Sequence, residues 1–265
     1  MTQAPLAALQ DVSVRYGAFQ ALRGVSLHVA PGEIVGLVGE SGSGKTTAVR
    51  ALMGLVPISE GRATFEGRDI THLAGGARRD LWRRMQMVFQ DPGASLSPRM
   101  SLADIIAEPL RAHGVPKAGA MLRARELLSQ VGLPADAADR PPTALSGGQR
   151  QRVAIARALA LEPVLVVADE PMSALDVSVK AQIAALFLRL RASTGVSFVI
   201  VSHDLALMSQ IADRIVVMRN GQVVEEGPAR DVIAAPRDAY TRELRDACLD
   251  PVKVVATRAL ERAAS

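Results

Sequence analysis

Apolar and polar residues alternate at Val12, Val14 and Tyr16 and again at Val25, Leu27 and Val29, the period of two of strands with one buried face. Pro31 and Gly32 make a turn, and the pattern then changes. Residues 34–38 are almost continuously apolar, a glycine-rich loop follows, and residues 46–55 carry helical spacing, which predicts strand, loop and helix. Similar apolar runs recur at 85–89, 164–168 and 198–201. Strands this short and apolar are buried on both faces, so a largely parallel sheet covered by helices is expected, an α/β fold. From 91 to 160 there is no strand-like run, and helical spacing at 102–112, 118–131 and 148–160 predicts an inserted α-helical subdomain. The core is then 1–90 and 161–235, with an antiparallel β subdomain at its N-terminal end. Near the end, apolar residues at 215–218 and 222–224 flank Asn220-Gly221, a pair suited to a type I′ hairpin turn, and a helical tail is expected over 236–265.

At 265 residues and 49% hydrophobic, the chain can bury a full core as one unit with an insertion. No apolar run approaches the roughly 18 residues of a membrane span, and the N-terminus lacks the order of a signal peptide, so a soluble cytoplasmic protein is expected. The single cysteine, Cys248, excludes an internal disulfide and a zinc site of several thiolates. The net charge of +4 is spread along a chain with 3% aromatic residues, which argues against a nucleic-acid partner. Only Lys45, Lys117, Lys180 and Lys253 are lysines among 31 basic residues, so a retained lysine points to a need for a compact ammonium.

Residues 39–46 read GESGSGKT, the phosphate-loop pattern between a strand and a helix. Its backbone N–H groups and the helix N-terminus favour phosphate, Lys45 reaches the terminal phosphates, and the Thr46 hydroxyl suits Mg²⁺. Gly39, Ser41, Gly42, Gly44, Lys45, Thr46 and Thr47 are the predicted nucleotide contacts. The strand at 164–168 delivers Asp169 and Glu170 to one sheet edge, where Asp169 suits the metal shell and Glu170 suits a general base toward water. Residues 145–149 read LSGGQ and open a helix with a capping box between Ser146 and Gln149. Capping does not require Gly147 and Gly148, so a phosphate approaching both is the expectation.

With these motifs in this order, residues 6–245 resemble the nucleotide-binding subunit of ABC transporters. The resemblance implies a P-loop NTPase core, ATP and Mg²⁺ as ligands, and an ABC ATPase domain over 1–245. It implies that Tyr16 stacks on adenine, that Gln90 senses Mg²⁺ and water and couples to membrane subunits, and that the SALD stretch ending in Asp176 senses the other subunit's site. His203 matches the histidine at the γ-phosphate, and Ser146, Gly147, Gly148 and Gln149 match the signature offered to the partner's ATP. A homodimer or a heterodimer with a paralogous ATPase is implied, with integral membrane permease subunits and, indirectly, an external solute-binding protein. The location implied is peripheral, at the cytoplasmic face of the inner membrane.

QDPGASLSPRM at 90–100 and APRDAYTREL at 235–244 resemble importers of oligopeptides, dipeptides and nickel. The chain departs from that pattern at Gly93, Ser97, Met172 and Ala239, and it lacks the cysteine cluster of some relatives. Two rivals remain at this point: an ABC-type ATPase acting on nucleic acid or ribosomes, and a P-loop kinase. The first usually has two cassettes or a long coiled coil, and LSGGQ argues against the second.

Overall fold

The structure, a computed structural model, describes residues 4–249; residues 250–265 of the expected tail and the side chain of Cys248 lie outside the described residues. The chain begins with the hairpin β1 (Ala7–Tyr16) and β2 (Phe19–Val29), followed by the buried strand β3 (Ile34–Val38) and helix α1 (Lys45–Leu52). Next come β4 (Glu60–Phe65), β5 (Arg68–Asp69), α2 (Gly75–Arg84) and β6 (Met85–Val88). Four helices follow without an intervening strand: α3 (Pro92–Ser95), α4 (Leu102–Ala112), α5 (Lys117–Gln130) and α6 (Gly147–Leu159). The chain then returns through β7 (Leu165–Asp169), α7 (Val177–Thr194), β8 (Ser197–Ser202) and α8 (Leu205–Ile211). It closes with β9 (Arg214–Arg219), β10 (Gln222–Pro228), α9 (Ala229–Ala234) and α10 (Ala239–Leu249).

Two sheets result. One is antiparallel, in the order β2-β1-β4-β5; the other runs β10-β9-β3-β8-β7-β6, parallel except at the β10 edge. Side chains alternate across the parallel sheet and feed two cores. Ile34 and Val38 join the helices α4 to α7, whereas Val35 and Leu37 join α1 and the antiparallel sheet. This two-sided burial explains why the central strands lack polar alternation. Among the described residues, no helix is long and apolar enough to cross a membrane.

Several elements differ from expectation. The run at 215–218 was expected only as a hairpin arm, but β9 lies inside the sheet, parallel to β3, with Ile215 and Val216 buried on opposite faces. Asn220 (φ 51°) and Gly221 (φ 76°) both take the positive φ that a type I′ turn requires. α1 stops at Leu52, short of residue 55, because Gly54 turns the chain into the left-handed region (φ 65°). β4, β5 and α2 carried no expectation. Only Leu81 of α2 is buried, so its helical pattern is faint, and β4 is defined by pairing with β1 rather than by its own apolar residues.

Candidate functional site

The carboxyl ends of β3, β8, β7 and β6 lie side by side, and each delivers a polar group to one edge of the sheet. β3 leads into the phosphate loop, β7 ends at Asp169 before Glu170, β8 ends one residue before His203, and β6 ends two residues before Gln90. The resulting cleft, of about 480 Å³, is lined by Tyr16, Phe19, Ser41, Gly42, Gly44, Lys45, Thr46, Thr47, Gln90, Glu170 and His203. Gly39 stands behind this cradle. A Cβ there would lie 2.2 Å from the Met218 carbonyl oxygen of β9, so the loop can press against that strand only without a side chain.

The start of α1 fits an anion. Gly44 caps the helix in the left-handed region (φ 103°) with no side-chain cap, and no acidic residue occupies the first turn, so the exposed N–H groups and helix dipole have no competing anion of their own. Lys45 is buried in the loop, where its Nζ donates to the carbonyl oxygens of Gly39 (2.8 Å) and Glu40 (2.7 Å). Burial holds the ammonium below its ordinary pKa, and the negative charges of Glu170 and Asp169 oppose that shift.

The Thr46 hydroxyl donates to Asp169 Oδ1 at 3.1 Å, behind the cleft. Burial pushes the Asp169 carboxyl above its ordinary value, with the Thr46 hydrogen bond pulling the other way, an arrangement that a cation would relieve. These two oxygens fit Mg²⁺ bound mainly through phosphate and water, the usual habit of that small, strongly hydrated ion. Glu170 stands next in chain, in the left-handed region (φ 47°), with its N–H donating to the Val201 carbonyl oxygen at 3.1 Å. A non-glycine residue held there costs on the order of 1 kcal/mol or more. Its Oε2 accepts from Gln90 Nε2 at 3.4 Å and lies 3.7 Å from His203 Nδ1.

LSGGQ lies elsewhere. Ser146 Oγ accepts from the Gln149 N–H, and Gln149 Oε1 accepts from the Ser146 N–H, which completes the capping box. The helix start faces a depression of about 140 Å³ that adjoins the first cleft through Gln90 and Glu170 and is lined also by Gly147, Ser173 and Leu175. The expectation that a phosphate explains both glycines needs correction. A Cβ on Gly148 would sit 2.4 Å from Val179 Cγ1 of α7, so packing inside the chain excludes a side chain; one on Gly147 would meet nothing closer than Leu175 Cδ2 at 3.5 Å. Only Gly147 is left without an internal reason. Asp176 caps α7, accepting from the Val179 N–H and the Ser178 hydroxyl, and these bonds hold its carboxyl below the usual range.

Two residues at the site had no assigned role in the sequence. Phe19 is 66% exposed beside Tyr16 (46%) across the tip of the β1–β2 hairpin, a second aromatic signalled only by its place beyond Gly17. Tyr240 of α10 is buried, and its hydroxyl accepts from the Glu40 N–H of the phosphate loop at 2.8 Å. Two hundred residues of sequence separation hide that contact.

Residues 22–173 match the ABC transporter family. The chain belongs to that family. It is an ATPase of the ABC type, and its P-loop core is shared by solved members. A putative peptide import ATP-binding protein of Brucella ovis is 44% identical over 256 residues, covering 95% of this chain and 81% of that protein. The glutathione import ATP-binding protein GsiA of Pectobacterium atrosepticum is 50% identical over 228 residues, covering 86% of this chain but 37% of its own length. Among solved ABC proteins, cbiO1 of Clostridium perfringens, part of the ABC transporter complex cbiONQ, superposes with a TM-score of 0.82 at 26% identity, covering 88% of this chain and 92% of cbiO1. The dimeric cassette MJ0796 bound to ADP and Pi gives 0.75 at 31% identity, over 84% of this chain and 99% of that one.

Proposed function

We propose that this chain is the ATP-hydrolysing subunit of an importer for peptides or a related small solute, and that two cassettes complete each other's sites. The observation carrying the shared site is that Lys45 and Gly147 line different, adjoining clefts of one chain, while a Cβ on Gly147 would make only an ordinary contact with Leu175, so nothing inside the chain requires a glycine there. A phosphate bound by one loop would face the LSGGQ of a second copy or a paralogue. The peptide and glutathione import relatives support the solute class.

Within each site, Tyr16 stacks on the base, the phosphate loop and Lys45 hold the phosphates, and Thr46 and Asp169, with Gln90 nearby, would hold Mg²⁺. Mg²⁺, when bound, offsets negative charge on the phosphates. Glu170 accepts a proton from the attacking water, held toward it by Gln90 and His203, and His203 faces the γ-phosphate. ATP binding favours the closed dimer, and hydrolysis resets it.

Closure is passed to permease subunits through a groove of about 440 Å³ beside Gln90, lined by Leu55, Trp82, Met87 and Phe89 from the core and Pro109 and Ala112 from α4. Phe89 and Leu55 are exposed there, as apolar anchors for a partner helix. The chain thus works peripherally at the cytoplasmic face, and an external binding protein supplies the solute.

Mixing Lys45→Ala with Gly147→Asp tests the shared site. Neither variant alone turns over; a mixed dimer keeps one site with an intact loop and an intact signature. With free exchange and independent sites, about half the dimers are mixed and about a quarter of parental activity returns. No recovery despite demonstrated exchange refutes this arrangement. Purification from native membranes tests the import role, since recovery with ribosomes or DNA instead of permeases would overturn it.

A further inference from the structure

The phosphate loop is held from behind as well as from within. The peptide joining Gly39 to Glu40 has its C=O taken by Lys45 Nζ at 2.8 Å and its N–H taken by the Tyr240 hydroxyl at 2.8 Å. Tyr240 is itself over-determined. The residue is 2% exposed, with the Arg219 guanidinium 4.6 Å from the ring centroid. Its backbone N–H is taken by Asp238 Oδ1 at 2.9 Å, and the chain just before it is tied to β10, where the Glu225 carboxylate accepts from the N–H groups of Arg237 (2.9 Å) and Asp238 (3.1 Å).

We propose that Tyr240 is a positioning residue for ATP, setting the tilt of the Gly39–Glu40 peptide and through it the position of Lys45 in the phosphate cradle. The proposal rests on the ATPase reading and adds to it a role for the C-terminal helix. The Gly39 carbonyl competes with phosphate for the Lys45 ammonium. A peptide plane fixed by Tyr240 keeps that carbonyl from following the lysine when the nucleotide binds, so the ammonium can be transferred from protein oxygen to phosphate oxygen. A loop without this tie can tilt, and part of the binding energy then goes into restoring its shape.

The test is Tyr240→Phe in the full chain, which removes one oxygen and keeps the ring beneath Arg219. Titration calorimetry with MgATP and with ADP reads affinity, its stoichiometry counts folded chains, and amide hydrogen exchange reads the Glu40 N–H without nucleotide. Faster exchange at Glu40 and affinity weakened about two- to tenfold, the span of one net hydrogen bond, are expected at full stoichiometry, with kcat at saturating ATP falling less than affinity.

Glu225→Gln supplies a second measurement, because it loosens the start of the tail helix without touching the hydroxyl. It should weaken nucleotide binding in the parent and add little in the Tyr240→Phe background, whereas independent, additive losses would overturn the proposal. If Tyr240→Phe does not fold, Glu225→Gln alone decides by whether affinity falls at full stoichiometry. Unchanged affinity in Tyr240→Phe, or a fall only in melting temperature, would also overturn the proposal while leaving the ATPase reading intact. A parent chain that binds no ATP would overturn both.

Discussion

Gly147 and Gly148 are neighbours in one helix turn, yet the structure gives opposite expectations for replacing each with alanine. At Gly148 the new Cβ would stand 2.4 Å from Val179 Cγ1, about 1 Å inside the normal contact distance. Val179 lies in α7, where a β-branched side chain has one strongly preferred rotamer, so it cannot simply swing away. Overpacking of this kind costs about 1–3 kcal/mol, partly offset by the roughly 0.5–1 kcal/mol that alanine gains over glycine in a helix. The net cost is about 0–2.5 kcal/mol, so at about 2–4 °C per kcal/mol for a chain of this size Gly148→Ala should melt up to roughly 10 °C lower. Gly147→Ala meets only Leu175 at 3.5 Å, so its melting temperature should hold or rise by a few degrees. Its steady-state phosphate release should nevertheless fall at least about tenfold under the shared-site proposal, in which the methyl group would occupy the place of the partner's phosphate. Calorimetric melts and a phosphate-release assay separate the two effects. Gly148→Ala in a Val179→Ala background should melt no lower than Val179→Ala alone. Full turnover in Gly147→Ala would remove the ligand explanation, and a Gly148→Ala melt as high as that of Gly147→Ala would refute the packing one.

Glu170→Gln should retain MgATP affinity and lose nearly all turnover, since an amide keeps the shape but cannot accept the water's proton; near-normal steady-state hydrolysis would take the general-base role from Glu170. Lys45→Arg should bind nucleotide almost as poorly as Lys45→Ala, because a planar fork does not fit where one ammonium nitrogen reaches two carbonyl oxygens; parental affinity by titration would show that charge suffices. The Asp176 carboxyl is held below its ordinary value in the folded chain, so its contribution is full above the ordinary carboxylate pKa and is lost as pH falls through the folded value. Asp176→Ala should therefore melt below the parent at pH 7, with the gap closing in acid, and a gap constant down to pH 3 would exclude the charge as its source.

The motifs of the candidate site were readable because they are local: a loop of eight residues, a strand ending at Asp169 before Glu170, and a capped helix start each occupy adjacent positions. The parallel sheet was equally legible, since β3, β7 and β8 are buried on both faces. What stayed hidden depends on distant partners. β4 becomes a strand by pairing Phe65 with Ala7, and β9 joins the parallel sheet because β3 lies beside it. Val179 gives Gly148 its reason from across a helix interface, and Tyr240 finds Glu40 only once the tail has folded back. Spacing within a segment says nothing about either contact.

Val179, which presses on Gly148, stands nine residues after Glu170 in the same continuous stretch of chain, and Asp176 between them fixes the first turn of α7. Under the shared-site arrangement, Glu170 belongs to the chain's own ATP while Gly148 sits beside the group lent to the other. Under that arrangement one short segment of each subunit would join its two half-sites. A shift of Glu170 when its phosphate departs would travel along a short, capped segment to the helix that grips the second nucleotide. A link of that kind would favour turnover in alternation over independent sites, and the Asp176 cap would lie on its path.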